Sequence, residues 1–375
     1  MREILNLVVD LSRERAIPPP PADVEIAAPA PTDERTLAWI DETFGGTWSS
    51  EAYAGRSVVA RRDGAPIGFA TIDPRGLTFS WLDGLAREPG VGVFGPFGVA
   101  PQERGRGVGR ALLGHALGAL RESGYARAIV PAVGDERLAA CYAENAGAEV
   151  AERFDRAALL RPRRRTLVLA SGNGSNFAAV LDAVRDGALP LDVVGLVANN
   201  ESAYAIERAR VAGVLATVVS WDRERESRAE YDARLLAAAR TPEPDLVLLL
   251  GWMHLLSSSF VAAFPELLNL HPAFLPLDPA RDDVVLPDGS RMPAFRGARA
   301  VRDARNASSA WVGATLHRVT GATDRGPVMA RKPLRVNPGE EEAQLMERVH
   351  EIERGVVRAG ITRWLYEGRD HGWNL

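Results

Sequence analysis

The chain has 375 residues, 46% of them hydrophobic, which is enough for two ordinary domains with full cores. Its formal net charge of -4 gives no electrostatic case for nucleic acid or an anionic membrane as the main partner, and small-molecule substrates are expected instead. A single cysteine, Cys141, excludes an internal disulfide and argues against a cysteine-based metal site, which suits a reducing cytoplasm.

Residues 1–11 mix charged and apolar side chains. They lack a long apolar core and a small-residue cleavage site, so no signal peptide is expected. No stretch approaches the roughly 20 uninterrupted apolar residues of a membrane span. A short helix is predicted over 2–15. Pro18, Pro19, Pro20 and Pro21 then make an extended tether, because proline has no amide donor. Residues 1–23 are therefore set apart from a first domain over 24–160. Within it, strands over 56–61 and 66–72 are joined by an Asp63-Gly64 hairpin turn, and a third strand is predicted over 94–99. A helix over 110–123 has helically spaced apolar residues and closes at Gly124.

Arg161-Pro162-Arg163-Arg164-Arg165 reads as a basic linker opening a second domain over 161–375. There, strands over 166–170, 191–198, 216–220, 245–250 and 267–270 alternate with helices over 176–186, 203–212 and 228–240. The unbroken apolar run Leu246-Val247-Leu248-Leu249-Leu250 predicts a sheet buried on both faces. Alternation with helices makes that sheet mostly parallel and Rossmann-like. A long helix is predicted over 340–367. The expected class is α/β: a mixed α+β domain followed by a Rossmann-like one.

Between the third strand and the helix over 110–123 the chain reads Gln102-Glu103-Arg104-Gly105-Arg106-Gly107-Val108-Gly109-Arg110. Glycines let successive amides point one way, and a helix start adds partial positive charge. The result is a pyrophosphate cradle with Arg104, Arg106 and Arg110 as counter-charges. A Walker Lys-Ser/Thr pair is missing, which argues against nucleotide hydrolysis. This loop resembles that of the GNAT acetyltransferase superfamily, over roughly 24–156. The resemblance implies acetyl-CoA bound by Phe97, Val99, Arg104, Gly105, Arg106, Gly107, Val108, Gly109 and Arg110. It also implies Tyr142, in Cys141-Tyr142-Ala143-Glu144-Asn145, as the group that protonates the departing thiolate. Glu51, Asp63 and Asp73 are bases by residue type only, and surface charge is the plainer reading of each.

Three features of the second domain belong together. Ser171-Gly172-Asn173-Gly174-Ser175-Asn176 follows the first parallel strand and opens a helix, a place that favours a phosphomonoester. Asn269-Leu270-His271-Pro272 ends a later strand, and Asp324-Arg325-Gly326-Pro327 forms a turn. Asn can hold a developing oxyanion, His can shuttle a proton and Asp can orient the His, which suits transfer of an acyl group between amines. Their order and spacing resemble the glycinamide ribonucleotide formyltransferase family from about residue 165 to 365. The resemblance implies 10-formyltetrahydrofolate as donor. It implies Gly174, Ser175 and Asn176 on the substrate phosphate and Glu353 on the ribose. Asn269, His271 and Asp324 become the catalytic groups, with Asp324 raising the pKa of His271. Arg228 and the segment Met253, His254, Leu255 and Leu256 take the folate. No metal is required. His254 replaces an arginine usual in the family, and residues 278–293 look like an insertion beside the His motif. His317 is read as structural. Two other readings stay open: formylation of a different small amine, and a first domain that only binds acetyl-CoA.

Overall fold

The computed structural model describes residues 3–13, 15–74, 76–160 and 162–367. Residues 2 and 14 of the expected first helix, and Arg161 of the linker, lie outside the described residues. The chain divides into two compact units, one of residues 1–44, 48–160 and 365–375, the other of 45–47 and 161–364.

The first unit contains β1 (Glu3–Asp10), β2 (Glu25–Ile26), β3 (Ala30–Pro31), α1 (Glu34–Phe44), α2 (Trp48–Tyr53), β4 (Arg56–Arg62), β5 (Ala65–Ile72), β6 (Val91–Val99), α3 (Val108–Glu122), β7 (Arg127–Val133), α4 (Glu136–Ala146), β8 (Glu149–Asp155) and α5 (Arg156–Leu159). Its eight-stranded sheet runs β2-β4-β5-β6-β7-β1-β8, with β3 also on β4. The β4–β5 turn places Asp63 and Gly64 at φ 49° and 73°, the left-handed pair that matches hairpin twist. Helix α3 buries Val108, Leu112, Leu113, Ala116 and Leu120, and these join the strands in one core cluster.

The helix expected over 2–15 is instead strand β1, antiparallel to β7 on one side and β8 on the other. The β7–α4–β8 crossover leaves a one-strand gap, and β1 fills it. A strand in that position is covered on both faces, so its side chains do not alternate, and Val8-Val9 favours extended backbone. Asn6, fully buried, pins it: Nδ2 donates to the Trp81 carbonyl and to Glu152, each at 2.7 Å, and Oδ1 accepts from Ala132 N at 3.1 Å.

The second unit contains β9 (Arg164–Ala170), α6 (Ser175–Arg185), β10 (Leu191–Ala198), α7 (Tyr204–Val211), β11 (Ala216–Val218), α8 (Arg228–Arg240), β12 (Leu246–Leu249), α9 (Ser258–Ala263), β13 (Leu267–His271), β14 (Asp283–Val285), β15 (Arg291–Pro293), α10 (Ala300–Asn306), β16 (Trp311–Arg318), β17 (Val328–Arg335) and α11 (Glu342–Tyr366). Its seven-stranded sheet runs β11-β10-β9-β12-β13-β16-β17. The first five strands are parallel, and β16 and β17 are antiparallel additions. Strand order reverses between β9 and β12. A doubly wound sheet opens a crevice at its carboxyl edge at such a switch point. Residues 278–293 are not a loose loop: β14 and β15 pair as a two-stranded ribbon. Among the described residues no helix is long and apolar enough to cross a membrane.

Candidate active site

The crevice at the switch point holds a cavity of about 740 Å³. The carboxyl ends of β9, β12 and β13 line it, as do the turn after β16 and the inner face of α11. Asn269 and His271 are two apart on β13 and therefore point to one face. His317 on β16 stands directly opposite Asn269 in the ladder. Asp324 follows on a tight turn at φ 51°. That turn needs glycine at 326, where a Cβ would lie 1.7 Å from the Arg318 carbonyl oxygen.

These groups converge on one carboxylate. Asp324 Oδ2 accepts from Gly297 N at 2.8 Å and lies 3.6 Å from His271 Nδ1. Oδ1 lies 3.4 Å from Asn269 Nδ2 and 3.4 Å from His317 Nε2. His271 Nε2 donates to the Phe295 carbonyl at 2.7 Å, which leaves Nδ1 as the open nitrogen of a neutral ring facing Asp324. His317 Nδ1 lies 2.8 Å from the Arg318 carbonyl, and its Nε2 lies 3.2 Å from Asn269 Nδ2.

Burial opposes ionisation of Asp324. The His317 hydrogen bond, the His271 imidazole and the Gly297 amide outweigh it and hold this acid well below the ordinary carboxylate range. Desolvation of the His271 ring, only 4% exposed, is the largest influence and leaves its pKa below the usual value, although Asp324 pushes it upward. The resting pair is an aspartate anion beside a neutral imidazole. His317, read as structural from the sequence, belongs to this cluster. It went unnoticed because its partnership with Asn269 exists only across the ladder.

At the other end of the cavity, α6 starts at Ser175 with no side chain capping it, so its first amides are open. Gly174, at φ 72°, could not be replaced: a Cβ would lie 2.7 Å from that of Ala205. Arg208, missed in the sequence, fixes the loop by donating to Asn173 O and Oδ1, each at 2.9 Å. Glu353, buried, reaches across from α11. Its Oε2 accepts from Asn176 Nδ2 at 2.8 Å and meets His350 Nδ1 at 2.9 Å. That hydrogen bond outweighs burial and raises the His350 pKa. Asn176 Oδ1 is buried without a protein partner.

Trp252 and His254 line the side of the cavity, and behind them Trp221 stacks on Tyr231 at 5.6 Å, with the Tyr231 hydroxyl 2.9 Å from His254 Nδ1. Burial, with Arg228 and Arg223 nearby, lowers the His254 pKa, so it does not supply the cation of an arginine at neutral pH. Arg228 is ion-paired to Asp232 at 2.8 Å and donates to the Leu255 carbonyl, while Met253 N donates to Ser171 Oγ at 2.9 Å. Of the segment 253–256, that amide and that carbonyl are already engaged, while the Met253 and Leu255 side chains are exposed.

In the first unit, the loop from β6 to α3 holds Gly105 and Gly107 at φ 77° and 90°, and α3 starts with no side-chain cap. Arg104 Nε donates to the Val99 carbonyl at 3.2 Å, and Arg106 lies 3.6 Å from Glu103, which also pairs with Arg62. Arg110 lines a shallow groove with Arg13, Arg15 and Arg121. Strands β6 and β7 are parallel, but their ladder covers only Val91, Gly92 and Val93. Beyond it Tyr142, buried, packs against Phe94 at 6.0 Å and Phe97 at 6.4 Å, and Phe97 and Val99 flank Gly109. Burial, and to a lesser degree Cys141, pushes the Tyr142 pKa up and keeps its hydroxyl protonated. Asp73 accepts from Val93 N at 3.0 Å, Asp63 sits in the hairpin turn and Glu51 is on α2. Among the described residues no group of three or more His, Cys, Asp or Glu residues is placed to hold a metal ion.

A sequence model of the Formyl transferase family matches residues 164–277 and 287–360, and one of the Acetyltransferase (GNAT) family matches 23–148. The chain is 35% identical over 199 residues to a phosphoribosylglycinamide formyltransferase of Mycobacterium tuberculosis, covering 53% of this chain and 83% of that protein. With the enzyme of that name from Escherichia coli it shares 32% identity over 204 residues, 54% of this chain and 87% of the other. It also resembles the trifunctional purine biosynthetic protein adenosine-3 of Drosophila pseudoobscura pseudoobscura, at 31% identity over 198 residues, but spans only 13% of that protein's length. Among solved structures, glycinamide ribonucleotide transformylase 1 from Symbiobacterium toebii aligns at 32% identity with a TM-score of 0.48, over 54% of this chain and 88% of that one.

Proposed function

The chain belongs to the formyl transferase family and carries a GNAT domain ahead of it, and from that premise we propose that residues 161–375 formylate the amine of glycinamide ribonucleotide from 10-formyltetrahydrofolate. One observation carries the reading. A single cavity has the Asn269–His271–Asp324 cluster at one end and an uncapped helix start with Glu353 at the other. That separation fits an acceptor with a reacting amine, a ribose and a terminal phosphate.

The cluster supplies what such a transfer needs. The amine nitrogen bonds to the formyl carbon, and the formyl oxygen becomes an oxyanion that Asn269 Nδ2 can hold in exchange for its long 3.4 Å contact with Asp324 Oδ1. The nitrogen must shed a proton. His271 Nδ1 is open to receive it, and Asp324 holds the imidazolium formed. Passing that proton to the departing folate nitrogen lets the old carbon–nitrogen bond break. At the far end, the α6 amides suit a phosphate, and the buried Asn176 Oδ1 with the Glu353 carboxylate suits hydroxyl donors. The lining rings of Trp252 and His254, with the exposed Met253 and Leu255, offer a flat apolar face for a pterin.

For the first unit, β1 included, the reading is acetyl transfer from acetyl-CoA. The open amides at α3 suit a pyrophosphate, the facing edges of β6 and β7 beyond Val93 suit an extended amide-bearing arm, and protonated Tyr142 suits a thiolate. Both activities belong in the cytoplasm, where these small substrates are made. Residues 278–286 fall outside the family match and border the catalytic turn, which favours one second reading, a different small amine as formyl acceptor.

The test compares kcat/KM for glycinamide ribonucleotide and its unphosphorylated riboside with one folate donor. Losing several charge-assisted hydrogen bonds predicts a deficit far above about tenfold for the riboside. Equal rates would reject the phosphate site and favour the other amine.

A further inference from the structure

Three consecutive residues cross the catalytic cluster, and each holds a different part of it. The Phe295 carbonyl takes the proton of His271 Nε2 at 2.7 Å. Arg296 Nε donates to the main-chain oxygen of Asp324 itself at 3.2 Å. Gly297 N donates to the Asp324 carboxylate at 2.8 Å. The remaining arms of the Arg296 guanidinium, which is largely buried, reach the ribbon segment: Nη2 donates to Arg281 O at 2.7 Å and Nη1 to Asp282 Oδ1 at 3.1 Å. Arg325, next to Asp324, grips the same segment through Pro279 O at 2.8 Å and through Asp282.

The ribbon is anchored separately. Val284, Val285, Leu286 and Met292 are buried, and Asp288 accepts from Trp311 Nε1 at 2.9 Å at the start of β16. A guanidinium is a rigid planar fork, so one that satisfies three acceptors on two segments fixes their relative placement in a way an ammonium cannot.

We propose that residues 295–297 form a strap that sets the positions of Asp324 and His271, that Arg296 is its positioning residue, and that the ribbon of 278–293 braces it through Asp282. This rests on the reading of Asn269, His271 and Asp324 as the formyl-transfer groups. Around the His271 ring stand Asp324 from the turn after β16, His317 from β16 and Arg296 from the strap. Releasing the strap hydrates the ring and removes a nearby cation, and both changes favour the protonated form. Loss of the Phe295 carbonyl acceptor opposes them, but desolvation is the largest cause of the lowered pKa, so the net change is upward.

The test uses the full chain with Arg296→Met, Arg296→Lys and Asp282→Asn. The His271 imidazole is titrated by proton NMR, its signal assigned by loss in His271→Ala, beside formyl-transfer kinetics. Arg296→Met should raise the His271 pKa towards the ordinary value and cut kcat by about tenfold or more, with KM for the amine within about threefold, because small displacements of reacting groups are costly. Arg296→Lys should recover less than half of that loss, since charge without the fork does not hold the strap. Asp282→Asn, an exposed change that leaves the core untouched, should move the titration in the same direction by less. An unmoved His271 titration in both Arg296→Met and Asp282→Asn overturns the proposal, as does full rescue by lysine. If the wild type lacks formyl transfer, the catalytic reading fails, and the titration still reports on the strap.

Discussion

In the proposed formyl transfer, Asn269, His271 and Asp324 divide one task. Asn269 offers a neutral amide donor, His271 an open nitrogen, and Asp324 a charge kept ionised by its neighbours. Removing a donor aimed at an oxyanion costs roughly 3 kcal/mol, so Asn269→Ala and His271→Ala should each lower formyl transfer about 100-fold or more. Far-ultraviolet circular dichroism should be unchanged, and near wild-type turnover in either variant would reject the assignment. The depressed His271 pKa gives a pH signature. The proposed reaction needs the neutral imidazole, and burial keeps it neutral to a lower pH than a free ring. The acid limb of kcat/KM, corrected for the amine's own ionisation, should therefore fall below the ordinary imidazole value of 6.5. A midpoint above that value would mean that Asp324, not burial, governs the ring. The same sign applies to folding. A histidine whose pKa is lowered on folding makes the protein less stable as pH drops through the unfolded value, while Asp324 contributes stability above the ordinary carboxylate pKa that is lost as pH falls below it.

Strand β1 closes the first unit's sheet by inserting between β7 and β8, and it buries Ile4, Leu5, Leu7 and Val9 in doing so. Burying each such side chain contributes roughly 1.5–3 kcal/mol, and their sum is comparable with the whole stability of a domain, about 5–15 kcal/mol. A full chain lacking residues 1–11 should lose acetyl-CoA binding by calorimetry and lose one of two melting transitions. Retention of both transitions would show that β7 and β8 close without it. This strand was not legible in the sequence because a central strand has no alternation, and its acidic ends look like a helix surface. The second unit's parallel strands were legible for the complementary reason: Leu246–Leu249 is an apolar run too short for a helix and is followed by loop residues. The candidate site was legible where its residues are close in sequence, as in the Asn-x-His pair that the structure brings to Asp324. The strap was not. Phe295 acts through its carbonyl and Arg296 through contacts with residues 281, 282 and 324, and no spacing in the sequence marks either.

The two units keep their chemistry apart. The loop of Arg104 to Arg110 and Tyr142 belongs wholly to the first, and the cavity between the α6 start and Asp324 wholly to the second. Their electrostatics differ as well. Arg106 is already partly neutralised by Glu103, and Arg104 leans on its own main chain, so neither contributes the full strength of a dedicated phosphate ligand. The open α3 amides remain when both side chains are removed. Arg104→Ala with Arg106→Ala should therefore weaken acetyl-CoA binding by about tenfold, short of the loss expected from two fully committed charged hydrogen bonds. Formyl transfer should be unchanged, since no group in the Asn269–His271–Asp324 cavity moves or loses a partner. Titration calorimetry with acetyl-CoA, run beside the formyl-transfer assay on the same preparation, decides between the cases. Undiminished affinity would place the pyrophosphate elsewhere, and an equal fall in both activities would mean that the two sites are coupled.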